Sequence, residues 1–254
     1  MTQPSTNGGT PASSGRTPAQ GNRLDPWFDA YAERAHNLRE SEIRALFSVV
    51  SRPEVVSLAG GMPNLKDLPL DKLAASAEKL IRNHGAQAMQ YGSGQGWEVL
   101  RERITEVMGY DGIVGADPDD VVVTTGSQQA LDLVTELFVN PGDVILAEAP
   151  SYVGALGVFR ARQADVVHVP MDEHGIIPEA LVETIRDVRA SGRTIKFIYI
   201  IPNYHNPAGV TLSAERRPII AEICLREHVL IVEDNPYGLL GFHNDPLPAI
   251  ASYS

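Results

Sequence analysis

From residue 120 onward, short runs rich in valine and isoleucine alternate with segments whose apolar residues recur at helical spacing. The predicted strands are 120–125, 143–148, 165–169, 194–201 and 229–234, and the predicted helices are 127–139, 152–163, 178–190 and 213–228. Strands that are apolar along their whole length are typical of parallel sheets covered by helices on both faces. The sequence therefore predicts an α/β fold with a mostly parallel sheet and helices on both faces.

The chain before residue 120 has a different character. Residues 1–22 are rich in Ser, Thr, Gly, Pro and Gln and contain almost nothing to bury, which predicts a disordered tail. We predict an N-terminal helical arm over 23–65 and a large domain over 66–254. The remaining predicted elements are helices around 43–50, 71–83 and 96–108, and a short strand at 55–58.

Composition argues against several kinds of partner. The chain has 254 residues and a formal net charge of -11, whereas proteins that bind nucleic acid usually present a basic face. No run of about 18 apolar residues and no apolar secretion signal occurs, so no membrane partner is predicted. The single cysteine, Cys224, lies among isoleucines of a predicted helix, which suits a buried residue in a reducing cytoplasm. No metal site is predicted.

Polar stretches follow four of the predicted strands. In parallel α/β sheets, ligands bind outside the carboxyl ends of the strands, so these stretches are expected to converge. They read "TTGSQQA" (124–130), "EAPSYVG" (148–154), "PNYHNPAG" (202–209) and "EDNPYG" (233–238).

Three of these stretches each allow two interpretations. Gly126, Ser127 and Gln128 begin a helix whose N–H groups favour an anion such as phosphate, but the segment taken alone favours Ser127 as a simple N-cap. The ring of Tyr152 could stack on a planar ligand or fill the core. Asn206, held out of the helical region by the following proline, either presents its amide to a ligand or forms an ordinary turn.

The fourth stretch is the most informative. Asp234 ends an apolar strand, and an ionised carboxylate is costly there unless a cation or several donors meet it. A positive group is therefore predicted beside Asp234. A salt bridge or a helix N-cap would satisfy the same carboxylate.

Taken in order, "TGSQQAL", "PSY", "PNYHNPAG" and "EDNPYG" resemble the class I/II aminotransferases, the fold type I enzymes that use pyridoxal 5′-phosphate (PLP). The resemblance runs from about Leu38 to the last residue. "VVSLAGGMPN" and "QYGSGQGWEVLRERI" resemble the branch that contains 2-aminoadipate and kynurenine aminotransferases and the aminotransferase-like domains of MocR-type regulators.

The resemblance implies roles around the cofactor ring. Asp234 would partner the pyridinium nitrogen, which keeps the ring able to accept electrons from the substrate. Asn206 and Tyr237 would hydrogen-bond the phenolic oxygen of the ring. Tyr152 would stack on the ring face.

It also implies how phosphate and substrate are held. Gly126, Ser127 and Gln128 would bind the phosphate at a helix N-terminus. Tyr91 would reach the phosphate from the other subunit, which implies a homodimer with shared sites. The residues implied to contact substrate are Gly60, Gly61, Arg44 and Asn206.

The sequence departs from the family at the Schiff-base lysine. In the family this lysine follows the aspartate in a Ser-x-x-Lys-like loop, but no lysine follows Asp234 here. Lys196 lies roughly 20 Å from the carboxyl end of its predicted strand, which is too far for its side chain. We therefore assign no catalytic residue, expect the lysine beyond Ser254, and expect the chain to be the incomplete N-terminal part of a longer enzyme.

The resemblance implies transamination between an α-amino acid and a 2-oxo acid, with this chain alone lacking the covalent step. Two alternatives differ in class. One is a non-catalytic PLP-binding or regulatory module, and the other is an inactive truncated gene product. Acidic charge argues against a DNA-binding regulator.

Overall fold

A computed structural model describes residues 25–37, 54–56, 65–242 and 246–253. The chain divides into two units, Met1–Leu38 and Arg39–Ser254. In the first unit, the described residues form two short 3-10 helices, Phe28–Ala30 and Glu33–Asn37. The predicted tail and the predicted helix around 43–50 lie outside the described residues, as does half of the predicted strand at 55–58.

One five-stranded sheet forms the centre of the second unit. Its strands are β1 (Val144–Ala149), β2 (Asp165–Asp172), β3 (Gly175–Ile176), β4 (Ile195–Ile200) and β5 (Leu230–Glu233). The order is β3-β2-β1-β4-β5. Every pairing is parallel except that of the outermost strand β3, which forms an antiparallel hairpin with β2. The predicted α/β fold with a mostly parallel sheet is therefore confirmed, and the carboxyl ends of β1, β4 and β5 share one edge.

Helices accompany the strands along the chain. They are α1 (Leu70–Ala88), α2 (Glu98–Met108), α3 (Ser127–Phe138), α4 (Val153–Ala161), α5 (Pro178–Ala190) and α6 (Arg216–Arg226). Helix α5 begins with proline, whose missing N–H costs nothing in the first turn. Among the described residues, no helix is both long enough and apolar enough to cross a bilayer.

The two faces of the sheet are covered by different helices. Val144 and Leu146 of β1 pack in one cluster with apolar residues of α5 and α6, while Ile145 packs in a second cluster with residues of α3 and α4. Successive strand residues point to opposite faces, so this division follows from the alternation along β1. The prediction of helices on both faces is confirmed.

The predicted strand at 120–125 is wrong. The segment begins in a short 3-10 helix, Pro118–Asp120, and continues without regular structure through residue 124. The side chain of Val122 is 55% exposed, and no described strand pairs with the segment. A β-strand needs a neighbour to satisfy its backbone groups, so an apolar run alone does not suffice.

The N-terminus of α6 is tied to the β2–β3 hairpin by an ion pair. Arg216 Nη1 and Nη2 donate to Asp172 Oδ1 and Oδ2 at 2.6 and 2.8 Å, and Nη1 also donates to Gly175 O at 2.9 Å. The hydrogen bond from Arg216, followed by one from the backbone N–H of His174, lowers the pKa of Asp172 from 3.8 to about 2.

This ion pair predicts a pH-dependent contribution to stability. A folded pKa below the unfolded value means that the contribution is complete above the unfolded pKa of 3.8 and is lost as the pH falls through about 2. At pH 6, the free energy of unfolding measured in urea should therefore be higher for the unaltered chain than for Asp172→Asn. The two values should converge as the pH falls towards 2. Glu183→Gln, which removes an exposed pair on α5, is the matched control. A difference independent of pH would contradict the prediction.

Candidate functional site

The shared edge of β1, β4 and β5 carries four of the predicted site residues. Tyr152 follows β1, Asn206 follows β4, and Asp234 and Tyr237 follow β5. Because these three strands are parallel neighbours, the segments leave the sheet side by side. The Ala149–Pro150 and Asn206–Pro207 peptide bonds are both cis.

Asp234 is fixed at both its backbone and its side chain. Its N–H donates to Ile200 O at 2.8 Å, and its Oδ2 accepts a hydrogen bond from the Tyr199 hydroxyl at 2.6 Å. Within the described ranges, no arginine or lysine pairs with this carboxylate and no helix begins at it. The salt-bridge and N-cap alternatives therefore find no support there.

The sequence prediction missed Tyr199. Its side chain is fully buried in β4, and its ring packs edge-on against Phe159 with centroids 5.5 Å apart. Burial, followed by the hydrogen bond to Asp234, raises the pKa of Tyr199 above its usual 10.0, so the hydroxyl stays protonated and donates. The register pairs Tyr199 with Val232, and Asp234 follows two residues later on the same face.

Asn206 and Tyr237 line one cleft. Its volume is about 460 Å³, within the range of about 300 to 1,000 Å³ that is usual for small-molecule pockets. The amide of Asn206 and the phenol of Tyr237, both predicted from the sequence, therefore border the same cleft. The other lining residues are Tyr204, His205, Pro207, Gly209, Leu240 and Phe242.

A buried hydrogen-bond network holds the loop that carries Tyr237. Arg217 Nη2 donates to Asn203 Oδ1 at 2.7 Å, and Asn203 Nδ2 donates to Asn235 Oδ1 at 2.8 Å. The same Asn235 oxygen accepts from Gly238 N at 3.0 Å. A Cβ on Gly238 would lie 2.6 Å from that oxygen, so glycine allows this close approach. The network fixes the chain on both sides of Tyr237.

A second buried pair lies beside Asn206. Glu148 and His205 are 1% and 2% exposed. Glu148 Oε2 accepts from Ile201 N at 2.8 Å and lies 3.1 Å from His205 Nε2, an electrostatic contact without good hydrogen-bond alignment. Ala208 N donates to His205 Nδ1 at 3.3 Å, so the imidazole proton belongs on Nε2, facing Glu148. The pair joins the end of β1 to the loop of Asn206, and the sequence prediction assigned no role to His205.

The N-terminus of α3 is open to solvent. Gly126 has φ of 87° and is the N-cap, so the alternative in which Ser127 caps the helix is wrong. Both Gly126 and Ser127 are exposed. Gln129 Oε1 accepts from Thr125 N and Thr125 Oγ1 at 2.6 and 2.7 Å, which secures the turn before the helix. The N–H groups of a first helical turn have no partners within the helix.

Gln128 and Tyr152 meet at Gly154. Gln128 Nε2 donates to Gly154 O at 3.2 Å. The Tyr152 ring lies over Gly154, where a Cβ would come within 2.5 Å of the phenolic oxygen. Tyr152 is half-buried and packs against the same cluster as Tyr199, so it combines a core contact with a partly open ring.

Of the remaining predicted site residues, one lies within the described part of the chain and three do not. Tyr91 lies between α1 and α2 with its side chain 100% exposed. Arg44, Gly60 and Gly61 lie outside the described residues. Lys196 Nζ is 3.3 Å from Asp143 Oδ2, at the amino ends of β4 and β1 and therefore at the opposite edge of the sheet.

Known proteins match this chain over most of its length. The profile of the family described as Aminotransferase class I and II matches residues 53–252. Aromatic-amino-acid aminotransferase 1 of Thermococcus litoralis is 37% identical over 223 residues, covering 88% of this chain and 54% of that protein. The 2-aminoadipate transaminase of Thermus thermophilus is 34% identical over 224 residues, with coverage of 88% and 54%.

Solved structures agree with these matches. The crystal structure of Pyrococcus horikoshii kynurenine aminotransferase, in complex with PMP, KYN and KYA, superposes with a TM-score of 0.83 at 34% identity. The alignment covers 91% of this chain and 57% of that one. The chain spans about half the length of the curated relatives it matches. These matches confirm the resemblance seen in the sequence motifs, and the chain belongs to the aminotransferase class I and II family.

Proposed function

We propose that this chain binds PLP at the carboxyl ends of β1, β4 and β5 and serves transamination between an α-amino acid and a 2-oxo acid. The single observation that carries the proposal is the carboxylate of Asp234, which is held by a neutral phenol and meets no cation among the described residues. The cleft lined by Asn206 and Tyr237 supports it independently. These groups fit a small aromatic ring with a basic nitrogen and a phenolic oxygen.

In this proposal each residue binds a different part of the cofactor. Asp234 accepts a hydrogen bond from the protonated ring nitrogen, and Asn206 and Tyr237 donate hydrogen bonds to the phenolic oxygen. Tyr152 packs on the ring. When bound, PLP supplies an electron-accepting ring that weakens the bond to the substrate α-proton and carries the amino group.

The phosphate would bind at the start of α3. Exposed N–H groups of a first helical turn favour an anion, and Gly126, Ser127 and Gln128 form that turn and its cap. The hydrogen bond from Gln128 to Gly154 supports this placement, because it ties the start of α3 to the segment that carries Tyr152.

We also propose a cytoplasmic homodimer in which Tyr91 of each copy reaches the phosphate site of the other. The full exposure of Tyr91 and the exposed apolar side chains of Leu70, Leu73 and Ile81 on α1 support a partner surface there. The net charge of -11 supports the absence of nucleic acid as a partner.

Substrate contacts and domain boundaries are proposals as well. Gly60, Gly61, Arg44 and Asn206 would contact the amino acid or the oxo acid. The subdivision into a tail, an arm that ends at residue 65 and a large domain stays a prediction.

A binding experiment tests the cofactor site without catalysis. We expect pyridoxamine 5′-phosphate (PMP), titrated calorimetrically into the chain, to bind saturably with one molecule per chain. PMP lacks the aldehyde of PLP, so adventitious bonds to surface lysines cannot contribute. At a hundredfold excess over the dissociation constant, PMP should raise the free energy of unfolding by about 2.7 kcal/mol.

Borohydride reduction distinguishes noncovalent from covalent binding of PLP. No lysine follows Asp234, and Lys196 lies at the opposite edge of the sheet, so borohydride reduction followed by denaturation should release PLP from the site. Absence of saturable PMP binding would refute the proposed function. A stoichiometric adduct retained after reduction would refute noncovalent binding.

A further inference from the structure

We propose that Tyr199 is a positioning residue that holds one oxygen of Asp234, so that the other oxygen is directed to the ring nitrogen of the cofactor. This inference rests on the proposed function, since it concerns the same site. It assigns a specific task to a side chain that lies in the sheet, beneath the segments that would contact PLP.

The geometry gives the phenol a single placement. Tyr199 lies within β4, between buried neighbours, and its ring packs at 77° to the ring of Phe159. Asp234 follows the adjacent strand β5, and its backbone N–H is held by Ile200 O at 2.8 Å. Donor and acceptor are therefore both attached to rigid elements, and their oxygens meet at 2.6 Å.

The hydrogen bond from Tyr199 makes the two carboxylate oxygens of Asp234 different. Tyr199 donates to Oδ2, while Oδ1 accepts no hydrogen bond from any residue in the described ranges. An unrestrained aspartate can rotate about its terminal torsion, because sp³–sp² torsions have broad minima. A phenol fixed on one oxygen removes this freedom, so the second oxygen keeps one orientation.

The chemical type of the partner also matters. An arginine or a lysine in the place of Tyr199 would fix the carboxylate but would also neutralise its charge. A neutral phenol leaves the negative charge of Asp234 for a protonated ring nitrogen. The raised pKa of Tyr199 supports this role, since a phenol that stays protonated at neutral pH always donates.

The test is a double-mutant cycle with PMP binding as the readout. Tyr199→Phe keeps the buried ring and removes only the hydroxyl, and Asp234→Asn keeps the shape of the acceptor and removes its charge. We expect Tyr199→Phe to weaken PMP affinity about tenfold, as for the loss of a hydrogen bond to a charged group. In the Asp234→Asn background the same change should have less than a twofold effect, because the charge to be oriented is gone.

A second ligand separates positioning from packing. A PMP analogue with carbon in place of the ring nitrogen offers nothing to Asp234, so its affinity should be equal for the unaltered chain and for Tyr199→Phe. Tyr110→Phe, which removes an exposed phenolic hydroxyl on the short helix Gly109–Asp111, is the matched control and should leave both affinities unchanged.

Each outcome decides between the claims. If Asp234→Asn weakens PMP binding but Tyr199→Phe does not, the inference is wrong and the proposed function stands. If Tyr199→Phe weakens the nitrogen-free analogue equally, or acts undiminished in the Asp234→Asn background, Tyr199 has a merely structural role and the inference is again wrong. If the unaltered chain binds no PMP, or Asp234→Asn binds it normally, both the proposed function and the inference fall.

Discussion

Replacement of Asp234 by alanine is expected to weaken the binding of PMP by at least about thirtyfold. A protonated ring nitrogen placed against β5 would lose its counter-charge, and removing one partner of a buried, hydrogen-bonded charge pair costs about 2 to 5 kcal/mol. Each 1.4 kcal/mol corresponds to about a tenfold change in affinity. Calorimetric titration of the variant against the unaltered chain measures the difference.

The same substitution should have a smaller effect on folding. The Tyr199 hydroxyl loses the acceptor that it meets at 2.6 Å, and a buried donor without a partner costs about 1 to 3 kcal/mol. Urea denaturation in the absence of ligand measures this cost, so the loss of binding can be corrected for unfolded protein. Asp165→Ala, at the start of β2 and at the opposite edge of the sheet, is the matched control for removing a carboxylate. An Asp234→Ala variant that is folded and binds PMP within threefold of the unaltered chain would contradict the proposed cofactor site.

Much of the fold could be predicted because its central strands, β1 and β4, are buried along most of their length. The runs at 143–148 and 194–201 differ from β1 and β4 by about a residue at each end. The strand predicted from the run at 120–125 was wrong. Whether a strand forms depends on a neighbouring strand to pair with, and a local sequence pattern does not show one. Periodicity predicted the helices α1 to α6 because each has apolar residues on one face. In α3 to α6 that face packs in the core, whereas α1 has no buried residue.

The candidate site could be predicted at the level of segments, and less well at the level of side chains. Strand ends of a parallel sheet meet at one edge, so the positions of Asn206 and Tyr237 on one cleft follow from topology. Tyr199 escaped prediction because its meeting with Asp234 depends on the β4–β5 register, which the sequence does not display. Glu148 left a signal that could have been used: it is a carboxylate within an otherwise apolar run, "VILAEA".

The second large expected effect is on stability and concerns the buried carboxylate of Glu148. Glu148→Ala is expected to lower the free energy of unfolding by about 2 to 4 kcal/mol, because a buried donor without an acceptor costs about 1 to 3 kcal/mol and a cavity adds to that cost. The Glu148 carboxylate is 1% exposed, accepts from Ile201 N at 2.8 Å and faces His205 Nε2 at 3.1 Å. The substitution leaves Ile201 N buried without an acceptor, removes the carboxylate that faces His205 Nε2, and opens a cavity between β1 and β4.

A graded pair of substitutions separates the two contacts. Glu148→Gln retains an oxygen for Ile201 N but removes the charge opposite His205, so it should cost about 1 to 3 kcal/mol, less than the alanine variant. Glu136→Ala, which removes an exposed partner of Arg162 on α3, is the matched control and should cost less than about 1 kcal/mol. Urea denaturation followed by far-ultraviolet circular dichroism gives the three values.

Hydrogen exchange locates the effect in the structure. The amide of Ile201 is buried at the end of β4 and its acceptor in the native chain is the Glu148 carboxylate, so its exchange should accelerate more in Glu148→Ala than that of Ile198 on the same strand. Because His205 immediately precedes Asn206, the same variant should also loosen the loop that lines the cleft. Equal stability of Glu148→Ala and the unaltered chain, with unchanged exchange at Ile201, would show that this pair does not hold the strand ends together.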